Sequence, residues 1–329
     1  MSVHAMTPRQ RNAFVLTATS APAITVASGL PWPWVLSLSL LCLSLLIGLY
    51  SLQERAGTPL PGARGGMFGK SLLLLQTVFC TVLLWQLALG TDSAFPDEAT
   101  VPFVPLTLLC VCAYASFRGR RACVRAVAVL FLLLMTLYAF IFFFAAQKAE
   151  LRRLLTLPEE RSLLPYGVVL LVPFYGLYLY EPGLSHKKFP TVSAALFLLL
   201  PLLASLLCAA VAGSGGSFYT MAKSVEVLSF AQRIEPLVSV LLTVGWFSAL
   251  CLLSLSADRM LGALGLKEGV GGALSCLAAG LGLLWKKPLS PGFLLGSGAV
   301  FCVLLPLLTQ CFVVRKKGKN FLKKPEKNG

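Results

Sequence analysis

Ten times along this chain a run of about 17 to 25 residues is apolar enough to cross a lipid bilayer. The runs cover approximately 13–31, 32–51, 71–90, 101–117, 126–147, 163–181, 191–213, 236–256, 269–285 and 289–313. Hydrocarbon offers no water to unpaired backbone N–H and C=O groups, so such runs must close their hydrogen bonds internally as helices. The polar stretches between them reach roughly 20 residues, too few for a separate soluble domain. The chain is 57% hydrophobic and 12% charged, whereas soluble domains hold about 25% charged residues. The reading is an all-α polytopic membrane protein, a single integral domain over 1–329. It divides into a cytoplasmic N-terminus (1–12), a ten-helix core (13–313) and a basic cytoplasmic tail (314–329). The polar start MSVHAMTPRQRN runs straight into a hydrophobic segment, so no cleavable leader is expected.

Net charge is +15, and its distribution tests the helix count. With the N-terminus inside and ten helices alternating, 20 of the 28 Lys and Arg residues fall on the inner side. They include Arg118, Arg120, Arg121 and Arg125, then Arg259 and Lys267, then the tail from Arg315 to Lys327. The acidic loop with Asp92, Asp97 and Glu98 falls outside. A missed helix would scramble this division, so the bias supports both the count and an orientation with both termini inside. The basic tail is read as an anchor on anionic lipid and not as a nucleic-acid site.

The sixth span, LPYGVVLLVPFYGLYLYEP, carries Pro165, Gly167, Pro173 and Gly176 and ends at Glu181-Pro182. Proline removes a backbone donor and breaks the helical ladder. At membrane depth a break survives only where neighbours or a cavity satisfy the freed groups. The span is therefore a candidate binding site, the alternative being a kink that only helps packing. The first span crowds Thr17, Thr19, Ser20, Pro22, Thr25 and Ser28 together; these contact a ligand or allow close helix packing. Spans one and six each open a run of five and each carry a mid-span proline. That pairing predicts two inverted five-helix repeats with discontinuous helices one and six, a leucine-transporter-like fold.

Residues 218–230 follow a Gly-rich turn and place Phe218, Met221, Val225 and Leu228 on one face, as in a short helix lying on the outer surface. Beyond it, Arg233 and Glu235 are interfacial anchors or ligand contacts, with Pro236 in the first turn of span eight. The ten cysteines are scattered, mostly within spans, and read as small buried hydrophobes. There are two histidines and no metal-ligand spacing, so no metal and no cofactor is expected.

Three stretches carry a resemblance. Thr7-Pro8-Arg9-Gln10 precedes a first helix rich in small residues. Phe174-Tyr-Gly-Leu-Tyr-Leu-Tyr-Glu181 is an aromatic and glycine run ending at a glutamate. Gln232-Arg-Ile-Glu235 leads into a helix bearing Trp246. In these the chain resembles the spore germination permeases, the B-subunit type of bacterial germinant receptors within the amino acid–polyamine–organocation transporter superfamily. Where many superfamily members have a glycine-rich break, this chain has Ala21-Pro22-Ala23.

The resemblance implies a spore inner-membrane protein that binds a small nutrient such as an amino acid. It would signal through A-type and C-type partner subunits. The ligand's carboxylate is expected near Thr19, Ser20, Pro22 and Ala23, on half-helix N-termini. Its side chain would face Tyr175, Gly176, Tyr178 and Trp246, while Pro173, Glu181, Arg233 and Glu235 take structural or gating roles. One alternative is a working amino-acid or organic-cation transporter of the same superfamily. A membrane lipid-modifying enzyme is a further alternative, but the chain lacks the carboxylate and histidine clusters such chemistry needs.

Overall fold

A computed structural model describes residues 8–56, 66–94, 103–155, 162–179, 191–213, 216–224, 235–285 and 287–310. The helices are α1 (Pro8–Ala27), α2 (Trp32–Ala56), α3 (Gly66–Ala94), α4 (Phe103–Arg118), α5 (Arg120–Gln147), α6 (Leu164–Val169), α7 (Thr191–Ala212), α8 (Phe218–Lys223), α9 (Glu235–Ala263), α10 (Val270–Leu283) and α11 (Pro291–Gly298). A 3₁₀ helix, Val172–Leu179, continues α6, and a π-helical segment, Ala299–Leu304, continues α11. Six of the described helices are long and apolar enough to cross a membrane, and Phe103–Arg118, Leu164–Leu179 and Val270–Leu283 are shorter apolar ones. With α1 these occupy all ten expected spans.

The pairing of elements shows the internal symmetry. The second set of five spans is α6 with its 3₁₀ helix, α7, α9, α10 and α11 with its π segment. Helix α1 packs on α5 and α7, and α6 with its 3₁₀ helix packs on α11 and α2. Helix α4 packs on α3 and α9, and α10 packs on α9 and α3. Exchanging each span for the one five places later reproduces these contacts, as two repeats of opposite orientation require.

Helix α1 is the central post. From Arg11 to Ile24 every residue but Ala13 is buried, and α5, α6, α7, α9 and the 3₁₀ helix surround it. A helix enclosed on all sides must be small on the faces where neighbours come closest. At Gly245 of α9 an added Cβ would collide with the Cβ of Ala21, so the two backbones approach as closely as side chains allow. Two expectations about α1 and its surroundings need correcting. The first span is expected to be discontinuous, but α1 runs unbroken through Pro22. Its hydroxyls fold back on its own carbonyls: Thr17 onto Ala13 (2.8 Å), Thr19 onto Val15 (2.6 Å), Ser20 onto Thr17 (2.9 Å) and Thr25 onto Ala21 (2.8 Å). Such back-bonds serve carbonyls along a ladder that Pro22 has deprived of one donor. The eighth span extends past the expected 256 to Ala263, which brings Asp258 into the helix.

At one end of the bundle α8 caps the α1–α2 turn. Ser217 and Thr220 form a capping box. The Phe218 N–H donates to Ser28 Oγ (3.0 Å), and the Phe218 ring meets Tyr138 and Phe142 of α5 edge-on. Phe218 and Met221 are buried, as expected for a surface-lying amphipathic helix; Val225 and Leu228 lie outside the described residues. All nine described cysteines are reduced, and all but Cys110 are buried.

The α1–α9 contact gives a direct test. Gly245→Ala forces the two helices apart and is expected to lower stability by about 1–3 kcal/mol, as overpacking does. Gly48→Ala, whose Cβ would meet nothing within 4 Å, serves as the neutral comparison in thermal unfolding of the detergent-solubilised protein.

Candidate functional site

The sixth span breaks in its middle, and the sequence shows why. Leu170 accepts no helical bond from three residues on, because that residue is Pro173 and has no N–H. Four residues on, the Phe174 N–H turns instead to the Leu171 carbonyl (3.2 Å). The chain tightens from α to 3₁₀ across Leu170 and Leu171. The carbonyls along this segment are then served from neighbouring helices. The Cys42 thiol of α2 donates to Leu170 O (3.3 Å). The Ser256 hydroxyl of α9 shares its one proton between its own Leu252 O (2.7 Å) and Tyr175 O (3.0 Å), and the Gln53 amide of α2 donates to Leu177 O (2.8 Å). Tyr166, just before the break, shares a hydrogen bond with Ser39 of α2 (2.7 Å). A broken helix inside the membrane is thus held by side chains of two flanking helices, the condition under which such a break is tolerated.

The expected site residues fall into four separate environments. Gly176 packs directly on α1: an added Cβ would lie 2.5 Å from Val15 Cγ2 and 2.8 Å from the Tyr50 hydroxyl. The Tyr175 and Tyr178 rings lie 5.8 Å apart. The Tyr175 hydroxyl neighbours the Cys80 and Cys302 thiols, and the Tyr178 hydroxyl neighbours the Gln76 amide. Thr19, Ser20 and Ala23 line a different space, a cavity of about 10 Å³ closed by Leu170 and by Phe197 and Pro201 of α7. That volume holds about one water molecule.

Trp246 stands apart from the tyrosines. It is buried at the junction of α1, α3 and α9, beside Gly90, whose added Cβ would lie 3.2 Å from the indole ring. Ser256, which bonds Tyr175, is ten residues further along α9, about 15 Å at 1.5 Å per residue. The structure therefore does not gather Trp246 with Tyr175 and Tyr178 in one pocket. Pro22 is buried inside an unbroken helix, so α1 presents no half-helix N-terminus to a carboxylate there. Pro173 holds its expected structural place at the break. Glu181 and Arg233 lie outside the described residues, as does the side chain of Glu235.

Sequence reasoning missed several groups. Asn12 is 2% exposed, and neither end of its amide has a hydrogen-bond partner among the described residues. The Trp246 indole N–H is in the same position. Asn12, Leu16, Thr19 and Ala23 recur at helical spacing and share one stripe of α1. Arg11 is 8% exposed, with its guanidinium 4.6 Å from the centre of the Tyr50 ring that borders Gly176. Gln76 is an amide within an otherwise apolar stretch, which is the available signal, whereas Gln53 adjoins Glu54 and Arg55 at a span end.

The comparisons with known proteins bear on this arrangement. No known family's sequence profile matches the chain, and no curated protein matches it in sequence. Among solved structures, the chain is similar to MHP1, a nucleobase-cation-symport-1 family transporter, in a closed conformation with bromovinylhydantoin bound. The TM-score is 0.54 at 14% identity, over 93% of this chain and 77% of that one. The protein is an all-α polytopic membrane protein with the leucine-transporter-like fold.

The bonds to the broken span carry a measurable load. Gln53→Leu leaves Leu177 O without its side-chain donor and is expected to cost about 1 kcal/mol, the usual scale for an interhelical hydrogen bond in a membrane protein. Ser256→Ala does the same at Tyr175 O. Unfolding each variant and the pair together should give nearly additive losses, since the two bonds serve different carbonyls.

Proposed function

We propose that this chain binds a small polar solute beside the interrupted sixth span and carries it across the membrane. The observation that carries the reading is that interruption, held by α2 and α9 in a fold shared with a transporter. Discontinuous helices at the midplane are where transporters of this architecture build their substrate sites. The groups at hand are neutral hydrogen-bonding ones: on the 3₁₀ segment the Tyr175 and Tyr178 hydroxyls with the Gln76 amide beside them, and on the separate α1 stripe that includes Thr19 the Asn12 amide. They suit a small amino-acid-like or ring-amide solute that offers donors and acceptors of its own. The cavity beside Thr19 and Ser20 is too small for such a solute, so loading requires α6 and the 3₁₀ helix to part from α1 and α7. A ligand that prefers the parted arrangement then shifts the population toward it.

A narrower reading makes the protein a permease-like germinant-receptor subunit, whose output is a signal passed to A-type and C-type partners. It is favoured by the stretches at Thr7–Gln10, Phe174–Glu181 and Gln232–Glu235, with Trp246 following. The two readings separate by counterflow in proteoliposomes loaded with unlabelled amino acids or nucleobases. Accumulation of the labelled solute supports transport. Saturable binding without exchange supports the receptor.

Asn12→Leu tests the site itself. Removing a buried amide without partners should raise the unfolding temperature, because the cost of an unsatisfied buried polar group is about 1–3 kcal/mol. If Asn12 serves the solute, affinity for the labelled solute should fall by about tenfold, or roughly 1.4 kcal/mol. Greater stability with unchanged affinity would remove Asn12 from the site. Lower stability would show that its role is structural.

A further inference from the structure

At the end of the bundle where α4 turns into α5, four arginines converge on one cavity. Arg118, Arg120, Arg121 and Arg259 all line a recess of about 800 Å³ between the α4–α5 turn and the C-terminal end of α9. Gly119 makes the turn possible: its φ of +90° lies in the region that favours glycine, and it lets the last residue of one span and the first of the next both face the recess. The positive end of the 28-residue α5 lies at the same wall and adds to the field of the side chains.

Two carboxylates also line the recess, and one of them is already engaged. Asp258 is 8% exposed, and its Oδ1 accepts the N–H groups of Gly269 (2.8 Å) and Gly272 (3.2 Å). It caps the start of α10 and so stabilises the α9–α10 turn. Glu268 sits exposed on that turn. Arg118 donates to the Tyr114 hydroxyl (2.7 Å), which fixes its stem but leaves other guanidinium N–H groups available. The balance is four cations against two carboxylates, in a recess sized for a small molecule.

The lining is also half apolar. Phe117 is 63% exposed and Leu266 is 41% exposed, and both border the same space. Guanidinium groups bind phosphate oxygens in bidentate fashion, which makes arginine the residue suited to phosphate recognition. Basic recesses between membrane helices at the bilayer surface match the chemistry of anionic headgroups.

We infer that this recess is a binding site for a phosphate-bearing ligand, held by Arg118, Arg120, Arg121 and Arg259 and flanked by Phe117 and Leu266. The inference stands apart from the solute site and does not depend on transport. The ligand's phosphate comes either from an anionic lipid headgroup or from a soluble phosphate compound, and one experiment distinguishes the two.

The full chain is placed in nanodiscs of phosphatidylcholine, and its unfolding temperature is measured. Phosphatidylglycerol is then added to the discs in one arm, and inorganic pyrophosphate to the buffer in the other. A rise of about 3 °C or more in the first arm assigns a lipid headgroup, and a rise in the second assigns a soluble phosphate. In Arg121→Gln/Arg259→Gln the rise should fall by at least half. Arg152→Gln/Lys287→Gln removes the same charge at the opposite end of the bundle and should keep the full rise. No rise in either arm overturns the proposal, and so does equal loss in both double variants. Should the Arg121/Arg259 pair fail to fold, Arg121→Gln alone, at an exposed position, gives the same comparison.

Discussion

A carbonyl without a donor inside a membrane is the constraint on which this structure turns. Proline at position 173 removes the N–H that would reach Leu170, and no water stands ready at that depth. The Cys42 thiol answers it, while Gln53 and Ser256 serve the carbonyls of the 3₁₀ turns that follow. Each donor must sit on a helix running beside the break, at a set height and on a set face. One proline in the sixth span thereby fixes polar positions on the second and eighth spans. The cost of losing a partner is what holds these helices in register, since burying apolar surface gives little orientation among lipid tails that are equally apolar.

The same logic explains what surrounds α1. With the sixth span tightened into 3₁₀ turns, Gly176 presents no side chain to α1, and Val15 and Tyr50 fill that space. On another flank Gly245 takes the Cβ of Ala21. Close approach on two sides leaves α1 no freedom to shift without opening one contact or the other. Its hydroxyls, turned back onto their own carbonyls, do not bond across these interfaces. A helix held by shape on two faces, with its hydroxyls bonded to its own carbonyls, can move as a rigid body between alternative sets of neighbours. Alternating access in this architecture is largely such a movement of one repeat against the other.

The span count, the break at Pro173 and the inverted repeat were legible in the sequence because each follows from a local rule: hydropathy over about 20 residues, a missing donor, and a pattern recurring five spans later. The interior of α1 was not. Pro22 among hydroxyl residues reads equally well as a ligand-binding break or as a bent but continuous helix, and tertiary enclosure decides between them. Trp246 is expected beside Tyr175 and Tyr178 around the ligand's side chain, and the structure places it elsewhere. Their heights depend on how far α9 runs past Trp246 before Ser256 meets the sixth span, which spacing within one helix does not reveal. Asn12 and Gln53 adjoin charged residues at span ends and read as interfacial, while Gln76 lies inside an apolar span. In an apolar span an amide carries the same message as an ionisable residue, since it too must find partners or leave a cost.

The arginine recess and the interrupted span both meet α9 near its C-terminal end, and that helix joins them. Its first half packs Gly245 and Trp246 against α1 and α3, Ser256 then reaches the 3₁₀ turn, and Asp258 and Arg259 open onto the recess. Ser256 and Asp258 are two residues apart, so any tilt of α9 that frees Tyr175 O also moves the carboxylate that caps α10. A ligand bridging Arg259 to the α4–α5 turn ties α9 to the first repeat through α5. On the two proposals above, its binding energy would favour whichever arrangement of α9 keeps those arginines together, and the proposed solute site would feel that preference through Ser256. Coupling of this kind needs no long pathway: both sites touch a single rigid helix, and each can bias the other only as far as its ligand distinguishes between the two positions of that helix.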